Sequence, residues 1–497
     1  MLDLNDKDGE DGMSALLKAN ASNINNIEIV KLLIDYANKF NITLELNDKN
    51  ENGNSSLMLA FYNNNTEMTK LLIDYANEHN VILNLNDKNK NGWSPLLYAN
   101  ATDNNNTENV KLLIDYANEH NIILEINEKT NSGNFPILLA IINENIEIFK
   151  SLINYANEHN IILNINDKNN NGWSPLLNAN GSDINNTEIV KLLIEYASEH
   201  NIILNINEKN NSDWTSINLA AYNNNLEIIK LLINYANEHH IILNINDKNE
   251  DGNTPIMTAT NKSNTEMVKL LLDYANEHNI ILNINDKDNV GWSLLLNAND
   301  TNHNNTEITK LLIDYANKQN IILELNEKTE KGNTSLMFAV DNNNTEIVKL
   351  LIDYANEHDI ILNINDKDKD GWSSLLNAND ASHNNTEIVK LLLDYAIQHH
   401  IILNLNERNI NEWSPIVFAI KNKNIEAVKL LVDYAKKYNI TMEIDEKDES
   451  RIKDTSMDII KLLKRCKING IINIKSNYLL EKFKKININE NDEEVII

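Results

Sequence analysis

The chain holds 497 residues, beyond what one compact domain usually spans, and 42% of them are hydrophobic, enough for a continuous core. Its formal net charge of −29 disfavours nucleic acid and anionic membrane surfaces as partners and leaves basic proteins open. A single cysteine, Cys466, rules out an intramolecular disulfide and fits a reducing, cytoplasmic setting.

The opening Met1-Leu2-Asp3-Leu4-Asn5-Asp6 is acidic and has no apolar core, so it is no signal peptide. No apolar run approaches transmembrane length. Triplets such as Asn64-Asn65-Thr66 are what Asn-rich sequence yields by chance. The heavy use of Asn and Ile reads as codon bias rather than chemistry. Leu2 to Lys7 matches Leu282 to Lys287 in character, so the chain opens inside a junction between units, with no dedicated N-terminal cap. Two readings follow: exposed apolar surface on the first unit, or a fragment of a longer array.

Self-similarity then governs the chain. A turn residue recurs at Gly12, Gly53, Gly92, Gly133, Gly172, Asp213, Gly252, Gly291, Gly332, Gly371 and Glu412. Units of 41 and 39 residues alternate, with two short units adjoining at Gly252. In the Gly252 unit, Asp251-Gly252 closes a tight turn. Thr254-Pro255 opens a short inner helix, where the missing Pro N–H costs nothing. Asn264 or Thr265 caps an outer helix whose stripe runs through Met267, Leu270, Leu271, Tyr274, Ala275 and His278. Ile280 to Asn285 is extended and leads to the next turn.

These residues resemble the ankyrin repeat. The match lies in Gly-Asn-Thr-Pro-Ile-Met-Thr-Ala (252–259), Gly-Trp-Ser-Pro-Leu-Leu-Asn-Ala (172–179) and Leu226-Glu227-Ile228-Ile229-Lys230-Leu231-Leu232. It recurs eleven times over roughly residues 5–445. The family's period is 33 residues. Its inter-helix Gly-His is replaced by pairs such as Asn224-Asn225, which tolerate a left-handed backbone. Its helix-ending Gly is Ala here, as at Ala236, Ala275 and Ala355. A helix without that stop runs on through Asn-Glu-His and accounts for the six extra residues. The long units add two more between the helices. The resemblance implies a mainly α fold, an ankyrin-type α-solenoid of about eleven helix pairs joined by hairpin-like turns. Residues 1–445 form the array and 446–497 a degenerate capping repeat with a locally basic tail.

The resemblance also implies partners bound on the concave side, where the hairpin tips lie. The tips vary: Asn50-Glu51-Asn52, Thr130-Asn131-Ser132, Asp288-Asn289-Val290 and Asp368-Lys369-Asp370 differ while the outer helices barely change. Drift on a solvated turn would give the same variation. All six tryptophans share the slot after the turn residue: Trp93, Trp173, Trp214, Trp292, Trp372 and Trp413. They read as binding anchors for a protein partner, or as packing against the next hairpin; a half-packed indole does both. Trp173, Trp292 and Trp372 are expected to keep partial exposure.

A tyrosine ladder, from Tyr36 to Tyr434, lies on the apolar stripe and reads as core. Histidines such as His79 and His278 end the outer helices, where a cation is favoured, and their spacing suits metal poorly. No phosphate loop, metalloprotease, nucleophile-elbow or kinase motif occurs. The expectation is a monomeric, non-enzymatic protein-binding scaffold without cofactor or metal. A structural or elastic spacer is the alternative, and an undetected enzyme a distant third.

Overall fold

A computed structural model describes residues 3–7, 12–21, 26–101, 107–181, 186–300, 304–380 and 384–486. The extra residues of the long units, together with Leu2 and the last eleven residues of the tail, lie outside them. The chain divides into two compact units, Met1–Glu250 and Asp251–Ile497. The first holds six pairs of antiparallel helices. The second holds five pairs followed by further short helices and two three-residue strands. Both are stacked helix pairs of the ankyrin-type α-solenoid.

Each pair joins an inner helix of six or seven residues to an outer helix of thirteen or fourteen. An inner helix this short does not hold alone in water. Packing holds it: in Ser56–Tyr62, six of seven residues are buried. Caps assist. Ser55, Ser94, Thr215, Thr254 and Ser293 each accept the backbone N–H three residues on. The outer helix of the Gly252 unit, Thr265–Glu277, is capped by Asn264, which accepts from Met267 N at 3.0 Å. Its buried face widens the predicted stripe to include Val268 and Leu272, while Leu270 is half-buried.

The missing helix stop has the expected effect. Leu226–Glu238 continues past Ala236, His239 caps it, and His240 takes φ +55°. The inter-helix turn survives without glycine, with Asn64, Asn224 and Asn343 at φ between +49° and +54°.

Three sets of contacts, repeated along each unit, join neighbouring helix pairs. The first is the tyrosine ladder. Tyr155 is 1% exposed, and its hydroxyl accepts from Leu124 N at 2.9 Å and donates to Ile122 O at 3.3 Å. Tyr116, Tyr354 and Tyr395 do the same one or more pairs along. The phenol thus completes the hydrogen bonding of an extended segment that has no strand partner. Tyr36 departs from the pattern and is half-buried, on a helix that exposes Ile29 and Leu32.

The second set is asparagine. Asn127 donates to Ile162 O at 2.8 Å and accepts from Asn164 N at 3.0 Å. Asn5, Asn47, Asn166 and Asn326 make the matching pair. The reading of Asn as codon bias is therefore too narrow: at this position the amide both donates and accepts, so the residue carries the junction. Asn5 also places the opening segment as a junction, as its sequence suggests. The third set is ionic. Lys49 pairs with Asp87 at 2.9 Å, Lys129 with Asp167 at 2.9 Å and Lys328 with Asp366 at 2.9 Å.

At the C-terminal end Asp445 takes the asparagine position. The extended segment there pairs as a true strand: β1 (Met442–Ile444) runs parallel to β2 (Ile472–Ile474). The helix Met457–Ile468 packs on the outer helix Ile425–Lys437. Asp448 is fully buried and receives both Arg408 guanidinium nitrogens, at 2.9 and 2.8 Å. A further helix, Asn477–Lys484, has no counterpart in the sequence reading, and Lys464 donates to carbonyls at its end.

Candidate functional site

The hairpin tip is built by one side chain. Asn89 Oδ1 accepts from Asn91 N and Trp93 N, both at 2.9 Å. This is an Asx-type turn, and it fixes the residue four places on. Asn169, Asn210, Asp288, Asp368 and Asn409 hold the amides of Trp173, Trp214, Trp292, Trp372 and Trp413 in the same way, at 2.8–3.0 Å. A glycine follows at φ near +80° in most tips, while Asp213 and Glu412 adopt φ +60° and +63°. The remaining tip residues face solvent: Glu51 and Asn52, Asn131 and Ser132, Asn289 and Val290, Lys369 and Asp370 are all exposed.

All six tryptophans are half-buried, and each lies beside these exposed tips. Their seats differ. Trp93 stacks on Tyr98 with ring centroids 5.0 Å apart. Trp214 meets Tyr222 edge-on at 5.3 Å, and its indole N–H donates to Glu250 at 3.1 Å. Trp173 covers Gly181, where an added Cβ would come within 2.9 Å of the ring. Trp292 stacks on Phe338 at 5.6 Å. Trp372 and Trp413 both stack on Phe418, at 5.6 and 4.4 Å. Among the described residues no indole stacks on another. The slot is thus packed on one side and open on another.

Beside Trp292 the surface is hollow. A cavity of about 480 Å³ is lined by Val290, Trp292, Asp300, Glu330, Phe338 and Asp341, among others. The carboxylates come from the far ends of two inner helices and from a tip, positions that carry no motif of their own. Sequence reasoning missed them for that reason.

The other recurrent side chains are structural. His120 stacks on Tyr116 at 4.2 Å and sets Nε2 2.8 Å from Asn77 Oδ1. His159, His200 and His358 repeat that arrangement. Among the described residues no group of three His, Cys, Asp or Glu side chains is placed to hold a metal. Cys466 is buried, and burial, with a smaller contribution from Asp433, pushes its thiol up to about 11; it is no thiolate at neutral pH. No helix among the described residues is long and apolar enough to cross a membrane.

The crystal structure of an ankyrin repeat domain from Acinetobacter baumannii AYE is 24% identical over a match covering 44% of this chain and 96% of that one, with a TM-score of 0.34. No curated protein matches the chain. A family model for ankyrin repeats in three copies matches residues 2–82, 100–203, 159–242, 186–281, 218–322, 278–363 and 358–442. Proteins with these repeats generally serve as protein-interaction scaffolds. With its helix pairs, left-handed turns and hairpin tips matching that model over most of its length, the chain belongs to the ankyrin repeat family.

Proposed function

We propose that the protein is a non-enzymatic scaffold that binds a protein partner across the concave, hairpin-tip face of its repeats. Trp93, Trp173, Trp214, Trp292, Trp372 and Trp413 are the anchors, and the variable tips give specificity. One observation supports this most: six half-buried indoles occupy a single slot, each with its amide pinned by the side chain four residues before it. Rigid aromatic groups lose little entropy on binding, and covering the exposed part of one returns roughly 0.5–2 kcal/mol before costs.

The test uses the full chain with a photo-crosslinking residue at tip position Asn171 or Asp370, or on an outer helix at Glu195. A partner captured from the tips and not from the helix, and lost when Trp173 and Trp372 are both changed to Ala, supports the reading. Equal capture from the helix refutes it. So does undiminished capture by a double variant whose circular dichroism and melting temperature match the parent.

A further inference from the structure

Neighbouring hairpins are stitched tip to tip. The carbonyl of the residue before the turn glycine accepts the backbone N–H of the next tip. Asn131 N meets Asn91 O, Asn170 N meets Ser132 O and Ile410 N meets Asp370 O; eight such bonds occur, at 2.8–3.2 Å. The stitching leaves no room over the glycines. A Cβ on Gly133 or Gly172 would lie 2.8 Å from the next tip's backbone nitrogen, and one on Gly371 3.0 Å from Asn409 Cα.

Among the described residues the junction after Val290 is unstitched. Among the described residues Val290 O receives no N–H from the following tip. A Cβ on Gly291 would meet nothing within 4 Å, unlike its counterparts at Gly252, Gly332 and Gly371. The hairpins part here, and the cavity beside Trp292 lies in the gap. Val290 itself is 60% exposed. The next unit has Asn333 in the slot where the last unit has Trp413, and Trp413 fills the corresponding space against Phe418.

The chain shows what such an open carbonyl takes. Among the described residues no further tip follows the last hairpin. There Arg451 of the cap lies over the indole of Trp413, its guanidinium carbon 4.3 Å from the ring centroid. It donates to Asn411 O at 2.8 Å and, together with Arg408, to Glu412 O, each at 2.6 Å. Asn411 and Glu412 stand in register with Val290 and Gly291. An arginine thus replaces the missing tip, satisfying the carbonyls with its N–H fork and covering the ring with its face.

We infer that the gap beside Trp292 is a socket for an arginine side chain from a basic segment of the partner protein. The guanidinium stacks on Trp292 and donates to the carbonyls of Val290 and Gly291, as Arg451 does at Trp413. Charge agrees. Among the described residues Asp300, Glu330, Asp341 and Lys331 are the charged groups that line the cavity, in a chain of net charge −29. Lysine shares the charge but lacks the planar fork that matches two carbonyls and a ring. The inference rests on reading the tip face as a protein-binding surface, and it names the chemistry at one point on that surface.

The experiment titrates the full chain with three capped pentapeptides, Gly-Ser-X-Ser-Gly, where X is arginine, lysine or citrulline. Binding is read by tryptophan fluorescence and calorimetry. The expected result is saturable binding of the arginine peptide, at least fivefold tighter than lysine, with none for citrulline. Trp292→Ala abolishes it and Glu195→Ala, on an exposed outer-helix face, does not. Asn333→Trp, which rebuilds the filled arrangement of Trp413 on Phe418, also abolishes it and keeps the result interpretable if Trp292→Ala unfolds. Equal binding of arginine and lysine, equal loss with Glu195→Ala, or no saturable binding overturns the inference. If the tip crosslinks still capture a partner in that case, the socket alone falls; if they fail too, the scaffold reading falls with it.

Discussion

Changing Tyr155 to Phe isolates one rung of the tyrosine ladder. The ring stays, with its burial and its stacking on His159 at 4.2 Å. Only the hydroxyl goes, leaving Leu124 N and Ile122 O without their partner. Leu124 is 1% exposed, so water does not readily replace the lost acceptor. An unmet buried donor costs about 1–3 kcal/mol, and the carbonyl adds less because its other lone pair relaxes. At about 1.4 kcal/mol per factor of ten, that is roughly five- to 150-fold in the local opening equilibrium. Native-state hydrogen exchange reads it directly. The Leu124 amide should exchange faster by that factor, while Leu204, held by Tyr235, keeps its protection. Unchanged exchange at Leu124, or an equal loss at both amides, would refute the account of the phenol as a local closure.

Alkali should unfold the array. Desolvation, opposed by the Leu N–H bond, holds the phenols of Tyr155, Tyr235 and Tyr395 above the ordinary value of 10. A raised folded pKa means that this stability is complete below about pH 10 and is lost as pH rises through the folded value. Helical circular dichroism should therefore fall together with tyrosinate absorbance, and tyrosines ionising normally in an intact helix would contradict it. Asn127→Asp replaces a donor with a carboxylate facing Ile162 O and should cost about 1–2 kcal/mol by urea midpoint; a neutral effect would remove the junction role of the amide. Asp213→Gly relieves a non-glycine residue at φ +60° and should raise stability by about 0.5–1 kcal/mol, with a lowered midpoint as the contrary result.

The repeat, its helix pairs and the lengthened outer helix were legible in the chain because they are local. Pro255 after Thr254, Asn at the left-handed turn and Ala236 in place of Gly each act within a few residues. The junctions were not legible. Asn127 finds its partners at Ile162 and Asn164, 35 and 37 residues on, so its role has no signature beyond a high count of Asn. The tyrosine slot declared its burial through periodicity, yet its hydroxyl bonds lie 31 and 33 residues back. The tryptophan slot was visible by repetition. The difference among its members was not, since Trp292 is set apart by the separation of two backbones and not by any residue of its own.

The junctions make each unit a tile with a fixed grammar. Asparagine and lysine reach forward into the next tile, and tyrosine reaches back into the one before. A recombination event that adds or removes a whole long–short pair, such as the eighty residues from Gly92 to Gly172, meets the same edges on both sides and needs no new contact. One that shifts by a few residues mismatches all three edges together. Length is therefore cheap to alter in steps and forbidden between them, and the unstitched junction at Val290 would be copied or erased whole with its tile.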